Sequence, residues 1–68
     1  MQVEEVMRQF EIAECEVKVQ MHISYSGSIS LSQVDVGIPS GYIGHRQLIK
    51  DLLDSRLGIY TDVYVMEE

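Results

Sequence analysis

Between Ala13 and Tyr25, apolar and polar residues alternate without a break. Ala13, Cys15, Val17, Val19, Met21, Ile23 and Tyr25 occupy the odd positions, with Glu14, Glu16, Lys18, Gln20, His22 and Ser24 between them. A strand sends successive side chains to opposite faces, so this period of two predicts one long strand with a dry face and a wet face. Ser26-Gly27-Ser28 reads as a turn, with Gly27 able to take a positive φ. The next segment stays rich in β-branched residues but changes phase: Ile29 and Leu31 are odd, whereas Val34, Val36 and Ile38 are even. One extra residue near Ser32-Gln33 brings both sets to one face, so the second arm of the hairpin is expected to carry a β-bulge there.

Further along, Leu48, Ile49, Leu52, Leu53 and Leu57 recur at three- and four-residue steps, with Arg46, Gln47, Lys50, Asp51, Asp54 and Ser55 on the other side. This pattern predicts an amphipathic helix from His45 to Leu57. Gly58 is placed to end it as a left-handed residue, with Ile59 as the hydrophobic contact of a Schellman motif. The last segment, IYTDVYVMEE, predicts a third strand with Ile59, Val63 and Val65 on one face and Tyr60, Tyr64 and Met66 on the other. At the amino end, Val3, Val6, Met7 and Phe10 have helical spacing, and a short helix running straight into the first strand is expected.

These elements define an α+β fold, a single domain over residues 1–68. The expectation is a small antiparallel three-stranded sheet made of a β-hairpin, a helix and a strand, with one amphipathic helix on one face. In the expected strand order, 2-1-3, the helix carries the chain back so that the last strand lies antiparallel to the first. The lengths do not match, however. Thirteen alternating residues extend about 40 Å as a strand, whereas a helix of similar residue count spans only about 20 Å. Part of the apolar strand face therefore lacks a helical cover.

Composition sharpens this point. A chain of 68 residues buries only about 60% of its unfolded surface, and small domains commonly add a disulfide, a metal or self-association. Cys15 is the single cysteine, and His22 and His45 show no metal-ligand spacing with it. No metal and no cofactor is expected, and a homo-oligomer, most simply a dimer, is. Five basic against eleven acidic residues give a formal charge of −6, which argues against a nucleic-acid partner and fits solubility, repulsion from DNA and membrane surfaces, or attraction to a protein with a basic surface. Apolar runs are too short for a membrane span, and acidic residues stand where a signal peptide would be basic. A cytoplasmic location is expected.

The stretch GIPSGYIGHRQLIKDLL, residues 37–53, is the nearest approach to a ligand motif. Its glycines precede a helix whose free N–H groups could hold an anion. Ser40, Gly41, Gly44, His45 and Arg46 would line such a site, with Tyr42 stacking on a base. The P-loop ending GK[ST] and the Rossmann glycine pattern are both missing, so a turn with a helix cap is the first reading of this stretch. His22 falls on the wet strand face without a partner, and Cys15 falls on the dry face, packing as a small hydrophobe. Glu4, Glu5, Glu11, Glu14 and Glu16, with Glu67 and Glu68, could gather into an acidic patch.

With no nucleophile–base pair, metal set or cofactor fingerprint, the sequence points away from an enzyme. It points to a small acidic interaction protein, an adaptor or inhibitor acting on another macromolecule through Tyr60, Tyr64 and Met66 and through Glu14 and Glu16. The alternative is a binder of a small anionic ligand such as a nucleotide at Ser40–Arg46.

Overall fold

The computed structural model describes residues 2–66; Met1 and the Glu67-Glu68 end of the expected acidic patch lie outside the described residues. The chain runs α1 (Gln2–Gln9), β1 (Glu16–Ile23), β2 (Ile29–Ile38), a 3-10 turn (Ser40–His45), α2 (Arg46–Leu57) and β3 (Tyr60–Val65). The fold is α+β with a three-stranded mixed sheet in the order β1-β2-β3.

The hairpin forms as its pattern dictates. β1 and β2 pair antiparallel, with Val17 opposite Val36, Val19 opposite Val34, Met21 opposite Leu31 and Ile23 opposite Ile29. Gln20 faces Gln33 and Met21 faces Leu31, so Ser32 is the extra residue of a bulge. Its hydroxyl donates to the Gln20 carbonyl at 3.0 Å, occupying an acceptor at the point where the ladder is interrupted. Gly27 at the hairpin turn has φ 88°, and the Ser28 N–H donates to Ser24 Oγ.

Two expectations about the sheet are corrected. The order is not 2-1-3, and the last strand is not antiparallel: β3 runs parallel to β2, with Val36 beside Val63 and Asp35 beside Asp62. A helix between two strands returns the chain to the end where the first strand began, so the second strand runs in the same direction. The link from α2 to β3 contains only Gly58 and Ile59, and it holds β3 next to the strand that α2 covers. The central position thus goes to β2 and not to the longest alternating segment.

The core explains that choice. Val34, Val36 and Ile38 of β2, Val63 of β3, Ile49 and Leu53 of α2, and Val3, Val6 and Met7 of α1 form one buried cluster closed by Ile12. Both helices therefore serve the same side of the sheet, where one helix was expected. Of the predicted apolar side of α2, Leu52 and Leu57 pack against this cluster, whereas Leu48 is exposed. On β3 the strand itself starts at Tyr60, so Thr61, Val63 and Val65 alternate toward the helices and Ile59 belongs to the link.

Both helices end on left-handed residues. Gly58, at φ 67°, donates its N–H to the Asp54 carbonyl at 2.9 Å, the single-bond form of this cap and not the Schellman form. The Schellman form occurs on α1 instead: Ile12 donates to the Met7 carbonyl and Glu11 to that of Arg8, each at 3.0 Å. Glu11 takes φ 58° there, with Ile12 folded back into the core. The predicted helix therefore does not run into the strand. β1 begins only at Glu16, since the left-handed residue redirects the chain.

Asp54 joins α2 to β3. Its carboxylate accepts the Thr61 N–H at 2.9 Å and the Thr61 hydroxyl, and pairs with Lys50 at 2.6 Å. Thr61 is fully buried, so this carboxylate satisfies donors that water does not reach.

Two outcomes follow from these contacts. Glu11→Gly relieves the left-handed strain and is expected to raise stability by up to about 1 kcal/mol, whereas Glu11→Ala is expected to leave it nearly unchanged; urea unfolding distinguishes them. Hydrogen bonds from Lys50 and then from Thr61 hold the Asp54 carboxyl below its usual range. The stability it contributes is fully present above the ordinary carboxylate pKa and is lost as pH falls through the lower folded value. The Lys50 ammonium is raised, first by its hydrogen bond to Asp54, so its contribution is present below the ordinary lysine pKa and lost as pH rises through the folded one. Asp54→Asn is expected to flatten the acid limb of the stability–pH curve, and Asp54→Ala to cost about 1–3 kcal/mol at neutral pH by orphaning Thr61.

Candidate functional site

The two faces of the sheet differ in kind. On the helix side, cover stops at β2. Every residue of β1 is exposed, and Val17, Val19, Met21, Ile23, Ile29 and Leu31 are each 36–67% exposed. Directly opposed residues in an antiparallel pair share a face, so these six lie on the same side as buried Val34 and Val36 and extend the core outward. β3 pairs with β2 only from Gln33 onward. From Ile29 to Ser32 the hairpin is therefore a two-stranded arm, in a molecule with principal extents of 43 × 24 × 17 Å.

An open hollow of about 360 Å³ lies where α1 meets the entry to β1, lined by Glu4, Met7, Arg8, Ile12, Ala13 and Cys15. Cys15 is half-buried and free. Burial, with the Glu4 charge adding to it, pushes its thiol up, which keeps it protonated and a poor nucleophile.

The face away from the helices is polar and aromatic. Tyr64 lies across Gly37 and donates its hydroxyl to Glu16 on the far strand at 2.9 Å. A Cβ on Gly37 would stand 2.9 Å from the Tyr64 ring and 2.8 Å from Met66 Cγ, so only glycine lets the ring approach the central strand this closely. Gly37 thus serves the sheet, within β2. The Glu16 hydrogen bond, with Asp35 and Asp62 adding charge, raises the Tyr64 phenol above its usual range. Lys18 Nζ sits 5.9 Å from the same ring.

Asp35 and Asp62 stand side by side in the β2–β3 register. Asp35 accepts from the side-chain amides of Gln20 at 3.2 Å and Gln33. Tyr60, more than half exposed, has Lys50 Nζ 4.5 Å from its ring centroid, a cation–π contact at the sheet edge. Of the interface residues expected from sequence, Tyr64 and Met66 meet over Gly37 and Glu16 joins them through Tyr64, whereas Tyr60 stands at the opposite end of β3. Glu14 is exposed in the segment before β1.

The residues of the expected anion loop have other positions. Ser40, Gly41, Tyr42, Gly44 and His45 lie in the 3-10 turn that runs into α2, and the N–H of Arg46 donates to the Ile43 carbonyl. The first N–H groups of α2 are therefore preceded by helical backbone. Arg46 Nε donates to the Val63 carbonyl. His45 is tilted against Phe10 at 5.6 Å and Tyr42 at 6.5 Å between ring centroids. The Tyr42 hydroxyl donates to the Glu11 carbonyl at 3.3 Å, joining the turn to the end of α1. Gly41 and Gly44 have open space where a Cβ would stand, and neither takes a positive φ.

The uncovered apolar residues of the hairpin were not assigned as a site from sequence, although their alternation and the short helix both signalled surplus apolar surface. The Asp35–Asp62 pairing had no local signal, since it exists only through the β2–β3 register. Among the described residues no three His, Cys, Asp or Glu side chains converge as metal ligands, and no helix is long and apolar enough to cross a membrane. Comparison with protein-family models, curated proteins and solved structures finds no match to this chain.

Gly37→Ala is expected to displace Tyr64, break its bond to Glu16 and lower stability by about 1 kcal/mol or more. Spectrophotometric titration should then show one phenol returning toward the ordinary tyrosine range, a change that Gly41→Ala should not produce.

Proposed function

We propose that this protein is a small acidic interaction protein of the cytoplasm, an adaptor or inhibitor that acts by binding another macromolecule and not by catalysis. The observation that carries this reading is the uncovered apolar face of the hairpin. Six apolar side chains, each 36–67% exposed, extend outward from the core that β2 and β3 share with the helices. Contiguous apolar surface of this extent on a small protein marks a contact site.

The opposite face sets the chemistry of the partner. Glu16, Asp35 and Asp62 lie there with Lys18, under a chain charge of −6. Like charges placed directly opposite each other in a sheet cost stability, and a partner with a basic surface relieves that repulsion on docking. Of the expected contacts, Glu16 lies on this face, Tyr60 stands at its edge, and Glu14 is exposed in the segment that leads into β1. The alternative of a small anionic ligand at Ser40–Arg46 draws less support, since Tyr42, His45 and Arg46 already contact Glu11, Phe10 and Val63.

Asp62→Thr separates the fold from the function. It is expected to raise stability by about 0.2–1 kcal/mol and to weaken capture of the partner from a lysate of the native host. The gap between variant and wild type should narrow as salt rises. Capture that is indifferent both to Asp62→Thr and to Met21→Asp on the hairpin face would remove this reading.

A further inference from the structure

We propose that the occupant of the uncovered hairpin face is a second copy of this chain, laid face to face across a two-fold axis; this rests on the interaction reading above. Three observations lead to it. The first is area. Weighted by their exposures, Val17, Val19, Met21, Ile23, Ile29 and Leu31 leave on the order of 500 Å² of apolar surface open, near the top of the range for an ordinary monomer. Two copies bury about 1,000 Å² of it between them, close to the ~1,200–2,000 Å² of stable interfaces before any surrounding rim is counted.

The second is charge. The charged and titratable residues of β1, namely Glu16, Lys18 and His22, occupy the even positions, and the apolar residues occupy the odd ones. The face to be joined consists of uncharged side chains, so the acidic surplus of two chains stays outside the contact. An uncharged apolar stripe is complementary to its own copy, as a two-fold interface requires.

The third is the arm itself. From Ile29 to Ser32 the hairpin has no β3 beside it, and an isolated two-stranded hairpin is marginal in water. A second arm across its apolar face converts it into one half of a two-layer packing, with sheets about 10 Å apart. Pairing of β1 edges would extend the sheet but leave Met21, Ile23, Ile29 and Leu31 wet. The geometry therefore selects stacking of faces and not addition of strands.

Sedimentation equilibrium over tens to hundreds of micromolar tests this. The expected mass for wild type and for His22→Asp is twice the 7.8 kDa of one chain. Met21→Asp and Ile23→Asp should each return it to one chain, with an unchanged circular dichroism spectrum. Should those variants unfold, oxidation in a Cys15→Ala background decides instead: Met21→Cys is expected to cross-link two chains, and His22→Cys is not. A single-chain mass for wild type throughout overturns the dimer, as does a dimer that survives both aspartates or cross-links only through position 22. A single-chain wild type that still captures a partner sinks the dimer alone. A dimer that captures nothing sinks the adaptor reading and leaves the dimer standing.

Discussion

Two short helices offer less apolar area than three strands present, and the arrangement of the molecule follows from how that cover is distributed. Val3, Val6 and Met7 of α1 and Ile49 and Leu53 of α2 close over Val34, Val36, Ile38 and Val63. Nothing comparable remains for β1. Burial of apolar surface is worth about 25 cal/mol per Å², so the cover goes where two strands can be sealed together. The sheet ends up with a dry half and an exposed half on the same side.

Specific polar contacts make that division definite. Asp54 fastens the end of α2 to Thr61 and so holds β3 beside β2. Glu11, strained into the left-handed region, turns the chain out of α1 so that Ile12 enters the core. Tyr42 and His45 bring the 3-10 turn against that same corner. On the far side, Tyr64 spans Gly37 to reach Glu16 and ties the edge strands across the central one. The groups singled out as ligand candidates from their spacing are largely those that hold elements together. A short chain has few polar side chains to spare, and several take structural duty.

Much was legible in the residues themselves. The alternation from Val17 to Ile23, the bulge at Ser32, the left-handed Gly27 and Gly58 and the amphipathic α2 are all governed by neighbours within a few positions. The Schellman turn at Glu11 was not legible, because glutamate carries no preference for that conformation and accepts it only when Ile12 has a core to enter. The candidate surfaces were half legible. Surplus apolar strand was evident from the alternation, although β1 spans 8 residues and not the thirteen on which the length mismatch rested; its location was not evident, since the alternating segment alone does not say whether it will be central or at the edge.

What the sequence by itself determined is therefore local: the kinds of element, their turns and caps, the break in phase, and the excess of oily strand over helical cover. Each depends on backbone preference and on the periodicity of side chains along one segment. The tertiary structure alone decided that β3 lies parallel beside β2, that Asp35 meets Asp62, and that β1 carries the uncovered face. Those outcomes depend on which surfaces compete successfully for the same two helices, and that competition joins residues far apart in the chain.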